Sequence, residues 1–234
     1  VLYHKPRSKV EVYNDIAGGV WNFFDVFVRR TDDLIDRLDD VYHAKAQYDE
    51  WTDTIPDDDV ERAARFFFFR YANWGSKLDP AGFRRMTHRS VADNFRDAVD
   101  ALPDKADRLH GVTIDRLDWA ECVDKYDGDD TLFYFDPPYV AAGDDLYAHD
   151  DDFDHGRFAD RLHDIDGDWV VSLERVPDSF PEYDAEATRD TKDRVSNGQE
   201  PDPTERTERL CMSFDPAERA RFTAADQASV DAFR

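Results

Sequence analysis

The run Thr131-Leu132-Phe133-Tyr134-Phe135, followed at once by Asp136-Pro137-Pro138-Tyr139, constrains this chain more than any other stretch. The apolar and aromatic residues have the length and composition of a buried strand. Two consecutive prolines offer no backbone N–H and fix φ, so the chain must leave the sheet after Phe135 in a rigid, extended turn. In an open α/β sheet, ligands sit in the crevice outside the carboxyl ends of the strands, which is where such a loop falls. Its residues have a matching chemistry. The Asp136 carboxylate can accept one hydrogen of an exocyclic amino group, the Pro137 carbonyl can accept the other, and the Tyr139 ring can stack on a planar base. Two acceptors that draw the amine toward tetrahedral geometry restore a lone pair otherwise delocalised into the ring, and direct attack on an activated methyl group becomes feasible. A packed strand-end turn is the plainer reading of Pro-Pro-Tyr alone; the preceding Asp and aromatic run weigh against it.

Other segments supply the rest of a sheet. Lys9 to Ile16 alternates as a short strand ending in Asn14-Asp15, and Val20 to Phe27 follows as a helix; Asn14-Asp15 also suits a helix cap. Gly111 to Ile114 reads as a strand leading to Asp118-Trp119, which is equally compatible with a helix cap and a core Trp. The helix around Phe66-Phe67-Phe68-Phe69 is expected to bury at least two of its four rings. Asp154 is a candidate N-cap ahead of Phe158 and Leu162 at i and i+4, and Trp169 to Leu173 is a short apolar strand.

On these residues the chain resembles the amino-methyltransferases that use S-adenosylmethionine and carry an Asp/Asn/Ser-Pro-Pro-Tyr/Phe loop, and within them the Dam-type (class alpha) DNA adenine-N6 methyltransferases. The resemblance implies a three-layer, Rossmann-like α/β sheet with a helical target-recognition insertion. It casts Asp136, Pro137, Pro138 and Tyr139 as the catalytic loop, and Asn14, Asp15, Asp118 and Trp119 as binders of S-adenosylmethionine, with Asp15 on the ribose hydroxyls and Asp118-Trp119 framing the adenine. The segment Ala63 to Lys77 is similar to the aromatic helix that opens the family's target-recognition part, although Arg70-Tyr71-Ala72-Asn73-Trp74-Gly75 departs from its usual wording. Glu205 to Phe214 is similar to the last, antiparallel strand. The methyltransferase core is therefore expected at residues 1–48 and 104–214, the insertion at 49–103 and a carboxyl-terminal tail at 215–234. The charged, apolar-poor stretch Asp184 to Arg206 reads as a flexible loop.

The family's aromatic-x-Gly-x-Gly cofactor loop, which follows its first strand, is expected just ahead of Val1, and Gly18-Gly19 lies on the wrong side of a strand to replace it. The chain thus reads as lacking the first strand and Gly-rich loop, through truncation or a broken gene. Similar Pro-Pro-Tyr loops also serve cytosine-N4, ribosomal-RNA guanine and protein-glutamine methyltransferases. Two alternatives therefore stay open, an RNA-base amino-methyltransferase and a truncated, non-catalytic DNA-binding remnant.

A net charge of −24 opposes binding to nucleic acid, because phosphate neutralisation supplies most nonspecific affinity. The acidity is of one kind: Asp outnumbers Glu 43 to 11, and Arg outnumbers Lys 23 to 7, a surface that resembles those of halophilic archaeal proteins. At about 1 M salt the Debye length is about 3 Å, so only close contacts count. Local charge then matters more than the total. Residues 62–96 carry +6 while the remainder carries −30. Within this island Arg65, Arg70, Asn73, Lys77, Arg84, Arg85 and Arg89 are the candidate DNA contacts, Arg being suited to bidentate binding of phosphate and guanine. The expected partner is double-stranded DNA, and a cognate restriction endonuclease is compatible with the resemblance. No metal site is expected: His149 and His155 flank Asp150-Asp151-Asp152 without zinc-like spacing. Two cysteines are too few for a disulfide framework and no stretch is apolar enough for a membrane span, so a cytoplasmic protein without a membrane partner is expected.

Overall fold

The computed structural model describes residues 1–73, 82–87, 90–138, 153–193 and 204–217. It is mixed α/β, with eight α-helices and two small sheets among those residues. The chain divides into two compact units, Val1–Trp119 and Ala120–Arg234.

The first unit opens with a 3-10 turn, Leu2–His4, then β1 (Val12–Asn14), α1 (Gly18–Arg29), α2 (Thr31–Asp39), α3 (Lys45–Thr52), α4 (Asp59–Ala72), α5 (Val91–Asp100), α6 (Leu102–Leu109) and β2 (Thr113–Asp115). The helix α4 shows why this half folds. Asp58 accepts from the Glu61 backbone N–H at 2.8 Å, satisfying a donor that the first turn would leave orphaned. Val60, Ala63, Ala64, Phe67 and Phe68 are buried, an i, i+3, i+4, i+7, i+8 stripe. Of the four consecutive phenylalanines Phe67 and Phe68 are buried and Phe66 and Phe69 partly so, in keeping with the expectation. Phe67 stacks on Phe23 of α1 with ring centroids 5.8 Å apart, and Phe68 meets Trp51 of α3 edge-on at 5.1 Å and Phe95 of α5 at 5.9 Å. The segment 49–103 thus contributes α4 and α5 to one core shared with α1 and α2.

The two short strands pair in parallel, Val12 opposite Thr113 and Asn14 opposite Asp115. Their amino-terminal side is fastened by Glu11, whose side chain is only 4% exposed. Arg108 of α6 donates to it from both terminal nitrogens, at 2.8 and 3.0 Å, and Lys5 and the Ser8 backbone N–H also donate to it. Gly111, with φ of 88°, makes the left-handed turn by which the chain leaves α6 for β2.

The second unit begins with α7 (Trp119–Tyr126, whose first residue closes the first unit) and continues through β3 (Leu132–Phe135), α8 (His155–His163), β4 (Asp168–Leu173), β5 (Ala185–Asp193) and β6 (Thr204–Met212). The sheet order is β3-β4-β6-β5, with β3 parallel to β4 and β6 antiparallel to both of its neighbours. Asp154 caps α8 by accepting from the Arg157 N–H at 2.9 Å, and Phe158 and Leu162 are buried, as the spacing implied.

Two expectations need correction. The stretch 184–206, read as a loop, contains all of β5 and the start of β6. After Ala187 every residue of β5 is charged or threonine, so no sustained apolar alternation marked it. The ladder instead sets Arg189 opposite Glu208, joins Arg209 to Glu186 at 2.6 Å and bonds the Thr207 hydroxyl to Asp190 at 2.9 Å. Nor is β3 buried on both faces. Among the described residues it is the edge strand of its sheet, and its alternate residues Leu132 and Tyr134 are 57% and 42% exposed, whereas Phe133 and Phe135 stack at 5.5 Å and Phe135 meets Phe158 of α8 edge-on.

The entrances to β3 and β4 are held by one carboxylate. Asp127 accepts from the backbone N–H groups of Gly128, Asp166 and Gly167, and Asp168 donates from its backbone to the Thr131 carbonyl at 2.8 Å. A Cβ on Gly167 would lie 2.6 Å from the Thr131 oxygen and 2.8 Å from the Gly128 oxygen, so no side chain fits without parting the loops.

Two outcomes follow. Gly167→Ala should cost about 2 kcal/mol in urea unfolding through this overpacking, and an unchanged midpoint would show that the loops part freely. Glu11 is held at a pKa of about 2, below its ordinary 4.5, chiefly by its hydrogen bonds from Arg108. The resulting stability is fully present above about pH 4.5 and lost as pH falls toward 2. Glu11→Gln should therefore lower the melting temperature at pH 7, and its difference from the parent protein should shrink as pH falls through that window.

Candidate functional site

The carboxyl ends of β1 and β2 are tied together by a side chain. Asn14, at the last position of β1, donates from Nδ2 to the Leu117 carbonyl at 3.0 Å and accepts from the Leu117 N–H at 2.8 Å. This two-bond clip holds the backbone between β2 and α7 beside the tip of β1, and places Asp118 and Trp119 in the segment that follows. Asn14 thus fixes the backbone that leads to Asp118.

Asp15 comes next. Its backbone N–H reaches the Asp115 carbonyl at 3.3 Å, while its Oδ1 accepts from the Ala17 N–H at 2.9 Å and its Oδ2 from the Tyr13 hydroxyl at 3.4 Å. The first of these side-chain bonds closes a turn ahead of α1, whose N-cap Ala17 has no side-chain cap, so the helix cap anticipated as an alternative is not formed; the bond uses one lone pair of one oxygen. A carboxylate offers about four acceptor positions, so the half-buried Asp15 retains capacity for vicinal hydroxyls. Asp118 and Trp119 are likewise half-buried. Arg116 joins the two loops on the same side, with Nε 3.3 Å from the Ile16 carbonyl and the guanidinium 5.7 Å from the centre of the Trp21 ring. Nothing in the sequence marked Arg116 for this position.

In the second unit, Asp136 follows β3 directly, with Phe135 opposite Val171 in the parallel β3–β4 pair. Asp136 and Pro138 are exposed and Pro137 between them is buried. The proline anchors the loop while the carboxylate faces outward, outside the carboxyl end of a parallel pair. Tyr139 lies outside the described residues.

The basic island is less uniform than its charge suggests. Arg65 donates to Glu61 at 3.0 Å and to the Thr54 hydroxyl at 2.7 Å, with its guanidinium 5.2 Å from the Trp51 ring centre. Arg62 and Arg96 are similarly engaged with backbone carbonyls at the ends of neighbouring elements. Asn73, expected at the DNA surface, is fully buried; its Oδ1 accepts from the Tyr48 hydroxyl at 2.9 Å. The same hydroxyl accepts from the Gly82 N–H at 2.9 Å, and the Arg84 N–H bonds the Ala72 carbonyl. Tyr48, which no motif singles out, thereby places the segment bearing Arg84 and Arg85 against the end of α4. Arg70 and Arg85 are exposed, Arg85 lying 5.3 Å from the Phe83 ring centre. His43 stacks on that ring at 4.5 Å; its pKa is pushed below the usual range, chiefly by burial, and Arg84 and Arg85 add to the effect, so it brings no positive charge to the island at neutral pH. Lys77 and Arg89 lie outside the described residues. Of the candidate contacts that the structure describes, Arg70 and Arg85 are thus exposed and Arg84 is half-buried.

No protein-family model matches the chain, and no curated protein matches it. Among the described residues no group of His, Cys, Asp and Glu could hold a metal ion, and no helix is long and apolar enough to cross a membrane.

Asn14→Ala should remove both bonds to Leu117, cost about 1–2 kcal/mol and speed hydrogen exchange at the Leu117 amide. An unchanged exchange rate there would show that β2 positions Asp118 unaided.

Proposed function

We propose that the protein is an S-adenosylmethionine-dependent DNA adenine-N6 methyltransferase with a Rossmann-like core. The observation that carries this reading is the Asp136-Pro137-Pro138 loop: an exposed carboxylate on a buried proline anchor, just outside the carboxyl end of a parallel strand pair. Supporting it, the parallel pair of the first unit ends in Asp15 and Asp118, half-buried carboxylates suited to ribose hydroxyls and to an adenine amino group. These residues fit the adenosine part of the cofactor, which when bound supplies a methyl group activated on a sulfonium sulfur.

The chain's own part is to hold the nucleophile. The target adenine leaves the duplex, because its amino group cannot be reached inside the stack. The Asp136 carboxylate accepts one amino hydrogen and the Pro137 carbonyl the other, while Tyr139 stacks on the base. The nitrogen lone pair is then directed outward, and the proton displaced after transfer has Asp136 beside it as an acceptor. Arg70 and Arg85, both exposed, contact the DNA backbone at short range, which is the range that survives in a strongly acidic protein at high salt.

The test is methyl transfer from labelled S-adenosylmethionine to duplex DNA in about 1 M KCl, where the Debye length is about 3 Å. Label should appear as N6-methyladenine, and Asp136→Ala should reduce the rate by roughly 100-fold or more. Label confined to RNA, or equal rates with and without Asp136, would overturn the assignment.

A further inference from the structure

The first unit contains a cavity of about 560 Å³ that reaches Tyr13 of β1, whose hydroxyl donates to Asp15. Eight aromatic side chains line it, among them Tyr13 from β1, Phe24 from α1 and Phe66, Phe67 and Tyr71 from α4. Three cations, Arg70, Arg84 and Lys105, complete its lining, with no carboxylate among the described lining residues. In a chain with 54 acidic and 30 basic residues, a cavity wall with three cations and no acid runs against the composition of the whole.

Arg84 adds a second, independent observation. It is half-buried at the cavity wall, and its Nη2 lies 3.5 Å from the Met86 sulfur, a weak acceptor. A guanidinium bonds an anionic oxygen more strongly than a thioether sulfur, so the position favours an anionic partner. The Arg84 backbone is fixed to the Ala72 carbonyl, so the guanidinium is presented from a set place.

We propose that this cavity binds a planar aromatic anion, a flat ring system bearing a carboxylate or a phosphate. The volume lies within the range of small-molecule sites. The walls favour a flat π-system, as their own contacts show: Tyr13 and Phe24 lie 4.2 Å apart between centroids, and Phe66 and Phe23 lie 5.4 Å apart. A neutral aromatic would gain nothing from the three cations of the lining, a cation would meet like charges, and an aliphatic anion would gain little from the rings. An anion in contact with a guanidinium is held at a distance shorter than the Debye length at high salt, so the interaction persists there. This site does not depend on the methyltransferase reading.

Isothermal titration in about 1 M KCl tests it with three probes: naphthalene-2-carboxylate, adenosine 5′-monophosphate and the neutral 2-naphthalenemethanol. At least one anion should bind with one-to-one stoichiometry, and which of the two does so separates a carboxylate from a phosphate ligand. The neutral analogue should bind at least about tenfold more weakly, and Arg84→Gln should lower the affinity for the anion by about tenfold. Lys105→Gln, at an exposed helical position, serves as a second variant that leaves packing intact, with a loss of about threefold expected. Equal binding of neutral and anionic probes, parental affinity in both variants, or no binding of either anion would overturn the proposal.

Discussion

The first unit rests on aromatic packing between α1 and α4. Phe23 alone meets Phe24, Phe27, Phe66 and Phe67 within 6 Å between ring centroids, and Phe95 of α5 joins the cluster through Phe67, Phe68 and Tyr71. With 36% of its residues charged, this chain has little aliphatic surface to bury, and large rings supply much apolar area per residue. The short strands β1 and β2 bury too little to stand alone, and three-residue strands gain their order from the helices against which they lie. Everything at the Asn14 clip therefore depends on rings that have no part in its chemistry.

Arginine does a second kind of work. Arg62, Arg96 and Arg108 each reach backbone carbonyls near the ends of helices or loops, and Arg65 and Arg37 converge on the Glu61 carboxylate. A planar fork can satisfy two acceptors at once, which suits a protein with abundant carboxylates and many element ends to close. The cost to sequence interpretation is that a basic cluster looks alike whether it faces a ligand or the protein itself.

That ambiguity marks how far the residues could be read unaided. Elements with an apolar period and a capping residue were legible: α4 from Asp58 and its phenylalanine stripe, α8 from Asp154, Phe158 and Leu162, and β4 from Trp169 to Leu173. The β5 strand was not, because a ribbon stabilised by cross-strand charge pairs has no apolar alternation to detect. At the candidate site, the positions of Asp15 and Asp118 followed from strand ends. The burial of Asn73 did not, since its partner Tyr48 is 25 residues away and is joined to it only by tertiary contact. Asn14 shows a subtler gap: a polar residue at a strand tip can serve the ligand or the backbone, and only the hydrogen-bond partners distinguish the two.

Tyr48 also separates two physical roles that are often merged in a basic surface. Its hydroxyl joins α3 to Asn73 and Gly82 through neutral hydrogen bonds in a buried setting. The arginines that follow Gly82 are thus located by interactions that ionic strength does not weaken, whereas any attraction they exert is screened by it. Salt can tune the grip of this segment without moving it. For a protein as acidic as this one, geometry and affinity are governed by different variables, and only the second belongs to the solvent.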